Sequence, residues 1–186
     1  MFSINVLTLR MKDFLRREDG SLAIEAAVIL PIMFTTYLSV FSFFDAFRQY
    51  DVNQKAAYTI GDMVSRQTTP LDNAYLNGTQ AFFDYLARST SPSKIRISSI
   101  YYDADTDKYV RAWSKTKGSV EPLTNDDVKD WHDRLPVLPD QEHVTLVETW
   151  TDFDPLFDVG LTQDVISNFV FTRPRYAPRV CWETCS

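Results

Sequence analysis

Glycine is scarce in this 186-residue chain, with 5 in all, and cysteine and histidine occur only twice each. The glycine-dependent phosphate loops are missing: neither a Walker pattern nor a dinucleotide fingerprint occurs, and there is no Gly-x-Ser-x-Gly nucleophile elbow. His132 and His143 fall in no zincin motif and no metal-ligand spacing. They read as surface or hydrogen-bonding residues rather than as a catalytic or metal pair. Positive charge is also in deficit, with 19 Lys and Arg against 25 Asp and Glu for a formal charge of -6. No basic cluster follows residue 20, which argues against a nucleic-acid binder, because neutralising phosphates needs a basic face. Internal repeats and low-complexity linkers are absent too. An enzyme reading therefore has no positive support, and the expectation is no catalytic residue, no cofactor, no metal and no small-molecule substrate.

What the chain does have is a long apolar run. Ser21 to Phe44 carries a single formal charge, Glu25. As a helix these residues would span ~36 Å, enough to cross a hydrocarbon core of ~30 Å. A cleaved secretory signal is the competing reading, but its apolar region is roughly 7 to 15 residues and ends in small residues, unlike "FSFFDAFRQY". The run reads as a membrane helix. Arg10, Lys12, Arg16 and Arg17 precede it, whereas Asp45 begins its far side and only Arg48 and Lys55 follow nearby. By the positive-inside rule the N-terminus is cytoplasmic and everything after the helix is exported.

Glu25 needs a reason to be there. An ionised acid at mid-bilayer costs roughly 2.5 to 3.5 kcal/mol, less near an interface, and such residues usually have a partner or a role. The plain reading is that Glu25 lies within about one and a half turns of the cytoplasmic surface and reaches the headgroups. The sharper reading turns on Gly20 and Ser21. A cut between them would make Ser21 residue 1 and Glu25 residue 5, and would create an α-amine with an ordinary pKa of about 7.7 to 8.0. That cation could neutralise Glu25 of a neighbouring subunit. Pro31 cannot donate to Ala27 and is expected to bend or loosen the helix one turn beyond the acid.

The stretch "FLRREDGSLAIEAAVILPIMF", with its short basic leader, Gly20, and Glu at the fifth position after it, resembles the type IV prepilin class. It is most similar to the TadE-like minor pseudopilins of tight-adherence (Flp-type) pilus systems, over about residues 14 to 68. The resemblance implies cleavage by a prepilin peptidase after Gly20 and storage in the bacterial inner membrane. It also implies partners among membrane lipid, other pilins and pseudopilins, and the inner-membrane assembly platform.

The remaining chain divides into a leader (1–20), the membrane helix (21–44), a helix extension (45–68) and an exported α+β domain (69–186). Phe43, Phe47, Tyr50, Ala57, Ile60 and Val64 recur at helical spacing, so the helix is expected to run on to about Arg66, with Arg48, Asp51, Asn53 and Lys55 turned elsewhere. Short packing helices follow, one signalled by Thr69 and Pro70 and another after Gly78, where Phe82, Phe83 and Leu86 form an apolar face. The period then changes to two. "KIRISSIYYD" and "KYVRAWS" read as a hairpin around "ADTD", and "HVTLVETWTDF" and "NFVFTRPRY" as two more strands. "TNDDVKDWHDRL" reads as one capped helix starting at Thr124 and ended by Pro136 and Pro139. The expected head is an antiparallel sheet of about four strands with short helices covering one face.

Three minor motifs remain. Asp103 to Asp107 has alternate carboxylates but lacks the glycine and closing Glu of a calcium loop, so a hairpin turn is favoured. Asn77 formally matches a glycan acceptor in "NGT". Cys181 and Cys185 form a candidate disulfide in an oxidising compartment if a turn or coil brings their Cα atoms within ~4.4 to 6.8 Å. Two rival classes stand beside the pseudopilin: an unprocessed, membrane-tethered periplasmic binding or sensing protein, and an exported enzyme of unrecognised type.

Overall fold

A computed structural model describes residues 21–157 and 164–185. Gly20 and the rest of the leader lie outside the described residues. Helix α1 (Ser21–Ser65) contains Pro31 and continues through it. Its 45 residues amount to ~67 Å of helical rise at ~1.5 Å per residue. The chain divides into two compact units; along α1 the boundary falls between Phe44 and Asp45, and Phe157 is also assigned to the first unit. In the first, apolar side chains stand open along the helix, among them Leu22 at 79% exposure and Phe34 at 67%.

In the second unit, the rest of α1 is followed by α2 (Asn73–Ala87), β1 (Lys94–Asp103), β2 (Lys108–Lys117), α3 (Asn125–Val128), a 3₁₀ turn (Trp131–Asp133), β3 (His143–Phe153) and β4 (Asp164–Thr172). The strands form one antiparallel sheet in the order β2-β1-β3-β4. This is the α+β architecture expected from the alternating patterns. The β1–β2 pairing slips at Ser99 and Ile100, which pair with Trp113 and Arg111 and leave Ala112 as a bulge.

Alternation along the strands gives the sheet two buried faces. On one, Ile95, Ile97, Val147 and Val170 pack with Ala57, Ile60 and Val64 of α1 and with Leu76 and Phe83 of α2. On the other, Ile100, Tyr109, Val144 and Leu146 meet Leu123, Val128, Leu135 and Leu138. The expectation of cover on one face is therefore corrected: the connection from β2 to β3 carries enough apolar side chains to cover the second.

The buried stripe of α1 is also rotated from the expected one. Asn53 is fully buried with Ala56, Ala57, Ile60 and Val64, while Phe47 is 72% exposed. Asn53 Nδ2 donates to the Gln49 carbonyl at 2.9 Å, while its buried Oδ1 has no hydrogen-bond partner among the described residues. The stripe is set by small residues that let the helix approach the sheet. A Cβ on Gly61 would stand 3.1 Å from Val170 Cγ1, tighter than ordinary packing allows.

Local signals explain the other differences. Helix α2 begins not at Thr69 and Pro70 but at Asp72, whose side chain accepts from Tyr75 N at 2.7 Å. It then passes through Gly78 unbroken and buries Leu76, Thr79, Phe83 and Ala87, leaving Phe82 40% exposed. Asn77 lies on the exposed side. The expected helix from Thr124 to Leu135 divides in two. Thr124 and Asp127 do form the reciprocal cap, but the Lys129 carbonyl accepts from Tyr109 N of β2, and the chain resumes as a 3₁₀ turn. Strand β2 runs three residues past Ser114, and β4 starts at Asp164 and stops before Pro174, which has no N–H to give a ladder.

Candidate functional site

Two features were singled out by the sequence: the acid on the apolar helix and the cysteine pair at the C-terminus. Glu25 lies on α1 within an apolar neighbourhood, sharing its helical face with Leu22, Ile29 and Ile32. It is the one formal charge between Ser21 and Phe44. The hydroxyls further along this segment are satisfied within the helix. Thr35 Oγ1 donates to the Pro31 carbonyl, Thr36 Oγ1 to Ile32 and Ser39 Oγ to Thr35, each at 2.8 Å. Such back-bonding makes a hydroxyl compatible with hydrocarbon, where no water is present to take its place.

The helix is long and apolar enough to cross a membrane, and only 6% of its apolar window is buried. That low burial separates it from the core helix of a soluble domain. So much open apolar surface requires cover by lipid or by another protein.

At the other end, Cys181 and Cys185 are bonded, with Cα atoms 5.3 Å apart. The segment forms a hook. Leu71 N donates to the Cys181 carbonyl at 2.9 Å and Glu183 N donates back to the Leu71 carbonyl at 2.8 Å, so the hook grips the link between α1 and α2. Glu183 adopts a left-handed φ of 56°, which turns the chain between the two cysteines. Trp113 Nε1 of β2 donates to the Val180 carbonyl at 2.8 Å, and the Trp113 and Trp182 rings lie 5.7 Å apart. The roles of Leu71 and Trp113 had no signal in the sequence, because both lie far along the chain from the cysteine pair.

The two histidines are kept apart. His143 pairs across the sheet with Tyr101, and its Nδ1 is 3.2 Å from Ser99 Oγ. His132 packs on the Tyr102 and Tyr109 rings, with Nε2 3.2 Å from the Asp107 carbonyl. Tyr101 and Tyr102 are neighbours on a strand and point to opposite faces, so the histidines cannot converge on one substrate. Burial, followed by the nearby Arg179 charge, pushes the His143 pKa down, which keeps its ring neutral at pH 7. The Asp103 carboxylate accepts from Asp105 N and Thr106 Oγ1, using its oxygens to shape the hairpin turn. Among the described residues no group of three or more His, Cys, Asp or Glu is placed to hold a metal ion.

No family model, no curated protein and no solved structure matches this chain. Function therefore has to be argued from the residues themselves. They offer a membrane-length apolar stretch, Ser21 to Phe44, with one acid, joined in sequence to a small disulfide-containing α+β domain.

Proposed function

We propose that this protein is a minor pseudopilin of a tight-adherence pilus system, a structural and assembly component rather than an enzyme. The observation that carries the proposal is the single carboxylate of Glu25, set four residues beyond Ser21 and the one formal charge in the apolar stretch from Ser21 to Phe44. In this reading a prepilin peptidase cuts between Gly20 and Ser21 on the cytoplasmic side of the inner membrane. The freed Ser21 amine is largely protonated at neutral pH. It pairs with Glu25 of an adjacent subunit, an opposite charge within the same apolar stretch.

The pairing has a geometric consequence. Four residues of helical rise are ~6 Å, so two helices joined this way are staggered along their axes by about that distance. The apolar side chains from Val28 to Phe44 supply the packing surface that moves from lipid to neighbouring helices. The acidic exported domain meets pilus or platform proteins.

N-terminal sequencing and intact-mass measurement of membrane-extracted protein test the first step: a Ser21 start is expected, and a Met1 start supports the unprocessed tether instead. Glu25→Leu tests the second. The variant should insert normally and lose pilus formation, whereas unimpaired pili would remove the pairing.

A further inference from the structure

Within the globular unit, a cavity of about 400 Å³ lies between the β1–β2 hairpin and the C-terminal hook. Its volume falls within the ~300 to 1,000 Å³ typical of small-ligand sites. Its lining is unusual for this chain. Arg111, Lys115 and Arg179 all contribute to it, together with Ser99, His143 and Thr184, and no Asp or Glu lines it among the described residues. In a protein of net charge -6, this is a local concentration of cations with hydroxyl donors between them.

The walls hold these groups in place. Lys115 Nζ sits 5.1 Å from the centre of the Trp182 ring, a cation–π contact that fixes the ammonium without neutralising it. Trp182 is itself held by the disulfide hook and by the Trp113 ring. Arg111 reaches the lining beside the bulge but pairs with Ile100, so its side chain belongs to the opposite face of the sheet and the cavity's charge comes from Lys115 and Arg179. Burial, and then the Arg179 charge, lowers the His143 pKa and disfavours another cation here. An anion would offset the positive charge that Lys115 and Arg179 bring to this lining.

We propose that this cavity is a binding site for a small oxyanion, a carboxylate or phosphate group, with Lys115 and Arg179 supplying charge and Thr184 and the hydrogen-bonded Ser99–His143 pair supplying directional donors. The volume exceeds that of a bare ion, so the natural ligand carries its anionic group on a small organic body. This departs from the expectation of no small-molecule partner. It stands whether or not the helix serves a pilus, because it uses only residues of the globular unit.

The test uses the full chain in detergent micelles with ¹³C-labelled histidine rings. Inorganic phosphate and acetate are titrated separately at constant ionic strength, so that general screening does not mimic binding. A saturable shift of the His143 resonance is expected, with His132, on the opposite face, unmoved. Saturation by phosphate alone assigns a phosphate ligand, and saturation by acetate alone a carboxylate. Lys115→Gln and, independently on the hook, Thr184→Val should each weaken binding at least about ten-fold, the loss expected for one charge-assisted contact. Lys117→Gln removes the same charge from the exposed end of β2, outside the cavity, and should leave binding unchanged. Absence of a saturable His143 shift with either anion, or an equal loss in Lys117→Gln, overturns the proposal.

Discussion

Arg96 and Glu148 face each other across β1 and β3, with Nε 2.6 Å from Oε2 and side chains only 14% and 5% exposed. The two ends of this pair are not equivalent. Arg96 also donates from Nη1 to the Glu121 carbonyl at 2.9 Å and lies 5.1 Å from the Trp150 ring centre. Glu148 receives its hydrogen bond from Arg96 alone among the described residues. Arg96→Ala therefore strands a buried carboxylate and should cost about 3 to 5 kcal/mol. Glu148→Ala leaves the guanidinium with a carbonyl and an indole, so the expected cost is smaller, about 1.5 to 3 kcal/mol, close to one charge-assisted hydrogen bond. Replacing both by apolar residues, as in Arg96→Met with Glu148→Leu, strands neither charge and should be nearly neutral. Urea unfolding of the full chain in micelles, followed by tryptophan fluorescence, measures all three, and urea leaves ion pairs unscreened. The expected order is Arg96→Ala, then Glu148→Ala, then the double variant. If Arg96→Ala costs under about 1 kcal/mol, or no more than the double variant, the assignment of an unshared burial cost to Glu148 is wrong.

Three further outcomes follow from particular contacts. Gly118 has φ +93°, and an added Cβ would come within 2.9 Å of Lys94 Cγ and 3.2 Å of its Cα, so Gly118→Ala should lower stability by about 1 to 3 kcal/mol in thermal melts. The Cys181–Cys185 bond closes a short loop, whose unfolded-state constraint is about 2 kcal/mol at most; Cys185→Ser should lose no more than this, and should change Trp113 and Trp182 fluorescence by loosening the hook. Hydrogen bonds from the Thr124 side chain and backbone hold the Asp127 pKa below its ordinary 3.8. Its stabilisation is complete above that value and is lost as pH falls through the lower folded one. Thr124→Ala should accordingly flatten the acid limb of a stability profile below about pH 4 while also destabilising at neutral pH, and an unchanged limb counts against the cap.

Much of the architecture was legible because it is written in local periodicity. The β3 limits agree residue for residue with "HVTLVETWTDF", and the hairpin around Ala104 to Asp107 follows from two alternating runs and a polar turn. The Thr124 cap was equally plain, because its two partners are three residues apart. What the pattern could not supply was the helical face that meets the sheet. Phe47 and Tyr50 are more hydrophobic than Asn53, yet Asn53 is buried, because close approach at Gly61 and Ala57 selects the face by size. The split after Val128 was hidden for a similar reason, since it depends on a carbonyl claimed by β2 from outside the segment.

The candidate sites divide along the same line. Glu25, Pro31 and the cysteine pair could be picked out because each is exceptional in its immediate surroundings, an acid or a proline in an apolar run or two thiols four residues apart. The basic cavity could not. Ser99, Lys115, His143, Arg179 and Thr184 come from β1, β2, β3 and the C-terminal hook, and no two of them share a motif. Chain order alone determined a membrane-length helix followed by an α+β domain, because helix, strand and turn propensities act over a few residues. Which face of α1 is buried, what the disulfide hook grips and where cations converge were decided only by tertiary packing, because those contacts join residues far apart in sequence.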